Sequence, residues 1–250
     1  MKIITEKNGP VTTIIINRPE VRNALDKEAT VLLAQAFRDF EQDESARVAV
    51  LCGAEGAFCA GADLKELATG EQYEAWAGAD GPLARPATKP VIAAVSGHAC
   101  AGGLGVALWC DIRIAEQSAS FAVLSRRWGV PMSDGTTVRL SRIIGRGRAL
   151  HMLLAARPVN ADEALAYGLV TQIVPDGRAR AEAEALANTI AGFPPIAMQS
   201  DRQSAYEQED MPMAAALIRE AALAQDAKAR EAQAGAQRFA QGAGRHGSIR

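Results

Sequence analysis

Apolar residues fall in two kinds of block along the chain, and these blocks set the expected elements. Short runs rich in Val, Ile and Ala, closed by Gly, Pro, Asn or Asp, predict strands over residues 2–6, 11–17, 48–53, 91–95, 111–115, 120–123 and 169–174. A Gly9-Pro10 turn separates the first two. Longer stretches with an apolar residue every three or four positions predict helices. Asp26 is suited to cap a helix running to Glu41, with Val31, Leu32, Ala36, Phe37 and Phe40 as its apolar stripe. A short helix is expected to begin over 64–68. Others should cover 135–144, 146–155 and 161–167, with Gly168 closing the last. Residues 69–85 are rich in Gly and Ala and read as irregular.

From Arg178 the character shifts to Ala, Glu, Gln and Arg. Three or four helices are expected there, broken near Pro194-Pro195 and Pro212. The organisation is read as a core over 1–195 and a helical region over 196–250, with no linker long enough to separate independent domains. Met213, Leu217 and Leu223 form apolar stripes that one short bundle cannot cover. Residues 242–250 are small and polar and are expected to fray.

Composition narrows the classes. At 250 residues and 48% hydrophobic content, one full core can be buried, with room for a small appendage. A net charge of −2 points to neither a nucleic acid nor an anionic membrane as partner. No apolar run approaches the roughly 20 residues of a membrane span, and the chain opens on a strand-like pattern, not a secretory leader. Cys52, Cys59, Cys100 and Cys110 form no C-x-x-C pair and read as small buried hydrophobes of a reduced, cytoplasmic protein. The three histidines, at 98, 151 and 246, show no metal-ligand spacing, and no metal or other cofactor is expected.

The chemistry concentrates in VIAAVSGHACAGGLGVALWCD, residues 91–111. It reads as a buried strand, a sharp exit at Gly97, then a helix starting at Gly102-Gly103. A helix start offers unpaired N–H groups and the positive end of the dipole, which suits an anion or a developing oxyanion. The alternative is a plain packing turn. A dinucleotide site is rejected, because Gly103-x-Gly105 is followed by Leu108 where the third glycine belongs.

A second stretch, AFCAGADLKEL over 57–67, also follows an apolar run and leads into a helical pattern. With RPEVRNALD (18–26), RRWGVP (126–131), IGRGRAL (144–150) and ARPVNADEALAYGLVTQIV (156–174), the chain resembles the enoyl-CoA hydratase/isomerase, or crotonase, family. The resemblance implies an α/β fold of stacked ββα turns with a C-terminal helical trimerisation region. It implies a homotrimer or a dimer of trimers, and an acyl-CoA thioester as substrate, as in fatty acid metabolism. It makes the backbone N–H groups of Ala62 and Gly102 the oxyanion hole for an enolate. It puts Arg22, Ala24, Ala60, Asp63, Leu64 and Lys65 along the CoA. Arg22 and Lys65 could neutralise phosphate, or be ordinary solvated charges.

The chain departs from the family where acid–base work is done. The two hydratase glutamates fall, by the resemblance, at Gly105 and Ser125, and neither residue titrates usefully, which also disfavours an isomerase that keeps only the second of them. Asp134 is the best remaining acid–base candidate, though Ser133 or Asp134 could instead cap the helix that follows. His98 could act near neutral pH or be structural. Trp128, Arg126 and Arg127 either shape the acyl pocket or serve packing and surface charge, and Asp111 is expected to make structural hydrogen bonds. Two readings of different class therefore stand: an enolate-forming acyl-CoA enzyme with little hydratase activity, or a catalytically silent acyl-CoA-binding protein. Hydrolase or decarboxylase action also fits the family's range, but Ser125 as a nucleophile would need a histidine partner.

Overall fold

The structure, a computed structural model, describes residues 1–70 and 81–243. The chain divides into two compact units, Met1–Ala191 and Gly192–Arg250.

The strands of the first unit are β1 (Ile3–Asn8), β2 (Val11–Ile16), β3 (Val48–Gly53), β4 (Val91–Val95), β5 (His98–Cys100), β6 (Ile112–Glu116), β7 (Ser120–Ala122), β8 (Val159–Asn160) and β9 (Gln172–Val174). Six make one sheet in the order β1-β2-β3-β4-β6-β9, and β5-β7-β8 make a second. Only the β1–β2 hairpin is antiparallel in the larger sheet. A parallel sheet covered on both faces needs continuous apolar runs rather than alternation. The residues of β2 and β4 are buried throughout, as are those of β3 up to Cys52.

The helices are α1 (Lys27–Gln42), α2 (Leu64–Leu67), α3 (Gly102–Trp109), α4 (Thr136–Ile144), α5 (Arg146–Ala155), α6 (Ala161–Tyr167) and α7 (Ala179–Ala191). One face of the large sheet shares a core with α1, where Leu33, Phe37 and Phe40 join Ile14, Ile16 and Leu51. The other face is covered by α7. Its buried residues are Ala179, Ala183, Ala187 and Ala191, a four-residue repeat of the smallest side chain, which lets the helix lie close on Val48, Val50, Ile92 and Ile114.

Several elements differ from expectation. Asp26 does cap α1, its Oδ1 accepting from Ala29 N at 2.7 Å. The buried stripe, however, is Ala29, Leu33, Ala36, Phe37 and Phe40, while Val31 and Leu32 are 58% and 37% exposed. The helical period fixes one face, and Val31 and Leu32 fall off it. The run over 169–174 pairs as a strand only from Gln172. Leu169 and Val170 are buried in a turn, both N–H groups donating to Ala164 O. β5 and β8 were not expected at all, being too short to carry a period. Residues 135–144 form α4 only from Thr136, with Gly135 just outside it. Of the irregular stretch 69–85, Pro82–Ala84 is a 3-10 turn, and residues 71–80 lie outside the described residues, as do 244–250 at the end expected to fray. All four cysteines are buried and free, as expected of small hydrophobes.

The second unit contains α8 (Pro195–Glu207), α9 (Met213–Ala227) and α10 (Gln233–Ala240). The breaks fall at the expected prolines: Pro195 opens α8, and Pro212 immediately precedes α9. Glu231 caps α8 by accepting from Ile196 N and Ala197 N at 3.0 and 2.8 Å. Among the described residues no helix is long and apolar enough to cross a membrane.

Candidate active site

The site begins as a meeting of two backbone segments. Residues 57–62 are stitched to β5 and its approach: Phe58 N donates to Ser96 O at 2.7 Å, Cys59 N to His98 O at 2.9 Å, and Cys100 N to Cys59 O at 2.9 Å. Asn23, fully buried, holds the same loop from behind. Its Nδ2 donates to Ala54 O and Ala57 O at 2.9 and 2.6 Å, and its Oδ1 accepts from Arg18 N at 2.8 Å. Gly61 sits at φ +97°, and a Cβ there would stand 2.8 Å from Cys100 O and 2.9 Å from Gly102 N. Only glycine permits that approach.

The consequence is that Ala62 and Gly102 face one space. A methyl on Gly102 would lie 3.6 Å from both Ala62 N and Asp134 Oδ2. Among the described residues, neither the Ala62 N–H nor the Gly102 N–H is used by a hydrogen bond of the chain. Gly102 is the first residue of α3, so the positive end of its dipole adds to the same field. Ala101, just before it, is held at φ 48°, ψ −119°, with its N–H donating to Ala122 O at 2.8 Å. That conformation is costly for any residue with a Cβ, and such strain clusters at functional sites.

These groups line a cavity of about 540 Å³. Its walls are largely apolar, with Leu64, Leu67, Leu124, Trp128, Val130 and Met132 among them. Asp134 also lines it and is 3% exposed. Its Oδ1 accepts from Thr136 N at 3.0 Å, so the carboxylate braces the turn into α4 while Oδ2 points toward Gly105 and Gly102. Burial pushes the Asp134 carboxyl above its ordinary value, with the Thr136 contacts and Arg139 pulling the other way. Asp134 thus supports the start of α4, as one of the two expectations had it, and also faces the cavity.

The other sequence candidates separate cleanly. Gly105 lies in α3 with no side chain, and Ser125 is buried in the cavity wall, its Oγ donating to Met132 Sδ at 3.3 Å. Arg22, Ala60 and Leu64 line the cavity, whereas Ala24, Asp63 and Lys65 do not. Ala24 is buried. Asp63 accepts from Lys65 N at 3.1 Å and pairs with Arg18 at 3.0 Å, so its side chain organises the loop. His98 and Trp128 are on the wall, Trp128 70% exposed, while Arg126 and Arg127 are exposed away from it. Asp111 accepts from Val91 N at 2.7 Å, a structural bond as expected. Sequence reasoning missed Leu67, Cys100 and Met132 as wall residues and gave no signal for Arg139. Cys100 and Cys59 bring no reactivity, since burial pushes their thiols up to about 11 and about 12.

Comparison with known proteins places the fold. The enoyl-CoA hydratase/isomerase family model matches residues 6–243. The enoyl-CoA hydratase EchA19 of Mycobacterium tuberculosis is 37% identical over 84% of this chain and 82% of its own length. The (E)-benzylidenesuccinyl-CoA hydratase of Thauera aromatica is 36% identical over 85% of each chain. Among solved structures, enoyl-CoA hydratase EchA1 from Mycobacterium marinum superposes with a TM-score of 0.90 at 30% identity, covering 96% of both chains. The mixed α/β architecture with helices at its C-terminal end is therefore the crotonase fold.

Proposed function

The chain belongs to the enoyl-CoA hydratase/isomerase family, and within it we propose an enzyme that moves a proton on an acyl-CoA thioester with Asp134 as its acid–base group. The thioester oxygen accepts hydrogen bonds from Ala62 N–H and Gly102 N–H. Asp134 takes a proton from a carbon next to the thioester carbonyl, and the electron pair of the broken C–H bond passes to the carbonyl oxygen as an enolate. Fixed donors in a water-poor site stabilise such an oxyanion, one donor commonly contributing about 3 kcal/mol. The carboxyl then returns the proton to carbon, to the same atom or, when the acyl chain is β,γ-unsaturated, to the γ-carbon. The second course shifts the double bond into conjugation.

The observation that carries this reading is the buried carboxyl of Asp134 beside Gly102, in a cavity where positions 105 and 125 supply no titratable group. Hydration needs two positioned proton-transfer groups about one water, while a double-bond shift needs one. A buried carboxyl whose affinity for protons is raised suits a group that must both take and give one. Arg22, at the cavity wall, is suited to a CoA phosphate. The exposed Met213, Leu217, Ile218 and Phe239 of the second unit support self-association as a trimer or pair of trimers.

The test is a panel of saturated, α,β- and β,γ-enoyl-CoA thioesters in D2O, followed by mass spectrometry. Wild type should exchange carbon-bound protons and convert β,γ- to α,β-enoyl thioesters, and Asp134→Asn should lose both while still binding CoA thioesters. Exchange undiminished in Asp134→Asn would overturn the assignment. Binding without exchange in the wild type would favour the silent acyl-CoA-binding reading.

A further inference from the structure

The turn that carries Asp134 is not held by its own helix alone. The Arg139 side chain, half-buried on α4, folds back over it. Arg139 Nη1 donates to Asp134 O at 3.1 Å, and Arg139 Nη2 donates to Leu83 O. Leu83 is fully buried in the 3-10 turn Pro82–Ala84, on the path into β4. One guanidinium thus bridges two carbonyls from segments far apart in the chain. The room for it exists because residue 135 is glycine: a Cβ there would stand 2.2 Å from Arg139 Nη1.

We propose that Arg139 is the positioning residue for Asp134, fixing the backbone of its turn against Leu83 so that the carboxyl points at Gly102 and Gly105. The planar fork of arginine is what makes the two-carbonyl bridge. Lysine, a single point donor, can supply the charge but not the whole bridge. Among the described residues Arg139 does not line the cavity, so its effect on a bound substrate is indirect.

The charged and titratable groups around the carboxyl are few among the described residues. Arg139 faces it from α4, and the Cys59 thiol faces it from the loop before α2. Cys59, pushed up to about 12, is neutral at working pH. Arg22, His98 and Cys100 line the same cavity. Burial raises the carboxyl and the Thr136 hydrogen bonds pull it down most, with the Arg139 charge adding to them. Loss of the guanidinium removes that charge and loosens the turn that sets the Thr136 contacts, so the carboxyl should titrate at higher pH.

The inference rests on the acid–base role of Asp134 for its effect on turnover, but not for its effect on titration. The experiment follows the Asp134 carboxyl by carbon-13 NMR, assigned by its absence in Asp134→Asn, in wild type, Arg139→Lys and Arg139→Met. The midpoint should move up in Arg139→Met and return toward wild type in Arg139→Lys. Exchange kcat should fall about 10- to 100-fold in Arg139→Met, as expected for a group displaced by about an ångström, with the KM for thioester unchanged. The kcat pH profile should move in the same direction as the carboxyl. An Asp134 midpoint and kcat unchanged in folded Arg139→Met would overturn the proposal. If Arg139→Met does not fold, an unchanged midpoint and kcat in Arg139→Gln, which loses the charge with less change in shape, would overturn it equally. A shifted midpoint with exchange that does not depend on Asp134 would leave Arg139 as positioner and refute the acid–base reading alone.

Discussion

A Cβ on Gly105 would stand 2.3 Å from Asp134 Oδ2 and 2.6 Å from its Cγ. The carboxyl of Asp134 fills the volume that a side chain at position 105 would enter. Position 105 is where the resemblance puts one glutamate of a hydratase. The acidic group has therefore not simply vanished from this corner of the cavity. It arrives from the turn before α4 instead of from α3, and the two arrangements exclude one another.

Gly105→Ala tests that exclusion. In a helix interior the change normally stabilises by about 1 kcal/mol. Here the added methyl would stand 2.6 Å from Asp134 Cγ and 2.7 Å from Thr136 Oγ1, in a corner where both side chains are buried. Overpacking of that kind costs about 1–3 kcal/mol. The helix gain offsets part of it, so denaturant unfolding should show Gly105→Ala less stable than wild type by up to about 2 kcal/mol. Carbon-proton exchange should also fall at least about tenfold, because the general acid–base contribution is lost with the carboxyl's position. Full activity in this variant would mean that the carboxyl is not working from its observed place.

The raised carboxyl of Asp134 makes a signed prediction about stability. A carboxyl whose folded value lies above its ordinary 3.8 contributes most below that value, and the contribution is lost as pH rises through the folded value. Ionised Asp134 should therefore destabilise the fold at neutral pH, and Asp134→Asn, which keeps an acceptor for Thr136 N, should remove that cost. The stability of Asp134→Asn relative to wild type should be greater at about pH 7 than at about pH 3. The comparison must be a difference between proteins. In Asp26 and Glu41 burial raises the carboxyl, but Lys2 and Ala29 N–H, or Arg85 and Thr88 N–H, bring it down on balance, so acid weakens both proteins through those sites. Urea titrations of both proteins across pH measure it, and a constant difference would contradict the burial argument.

How much of this was legible in the sequence depends on whether the information is local. The large sheet could be read because β3 and β4 are continuous apolar runs, and β2 is β-branched throughout and ends in one, with Gly or Pro nearby. The α1 cap could be read because Asp26 acts within one turn. The face of α1 was also local information, since Ala29, Leu33, Ala36, Phe37 and Phe40 recur at the helical period; Val31 and Leu32 are apolar but fall off that face. β5 and β8, at three and two residues, exist through pairing with other segments, both with β7 and β5 also with the loop at Cys59. The same holds at the site. That positions 105 and 125 carry no titratable side chain is visible residue by residue. That Asp134 lies against Gly105, and that Arg139 reaches Leu83, are contacts that appear only when the chain is folded.

Two substitutions probe the backbone that supports the proposed oxyanion hole. Ala101 at φ 48°, ψ −119° carries strain of about 1–3 kcal/mol, whereas the entropy that glycine adds to the unfolded chain costs about 0.4–1 kcal/mol. Ala101→Gly should therefore leave the protein as stable or up to about 2 kcal/mol more stable. Gly61→Ala goes the other way, since its methyl meets Cys100 O and Gly102 N, backbone atoms that cannot rotate aside. It should destabilise by about 1–3 kcal/mol, in the range of overpacked sites, and lower exchange by displacing Gly102 N–H. Denaturation midpoints for the two variants check the signs, and Gly61→Ala behaving like wild type would contradict the close approach.

The last prediction concerns water. Crotonyl-CoA should be hydrated very slowly by this protein, although it belongs with relatives named as hydratases. Adding water across the double bond requires one group to activate the water and another to deliver a proton to the α-carbon, each contributing about 10² to 10⁴ in rate. Asp134 can fill one of those roles. The second position the resemblance gives is Ser125 in the same cavity wall, whose hydroxyl is buried and engaged with Met132 Sδ. With the proposed oxyanion donors in place, exchange of carbon-bound protons should be readily measured while loss of the conjugated enoyl absorbance is not. Ser125→Glu adds a second carboxyl to the cavity wall and should raise hydration above wild type. Wild-type hydration at some hundreds of turnovers per second, within the ordinary range for enzymes, would sink the single-carboxyl account. It would require a second proton-transfer group at the cavity beyond Asp134.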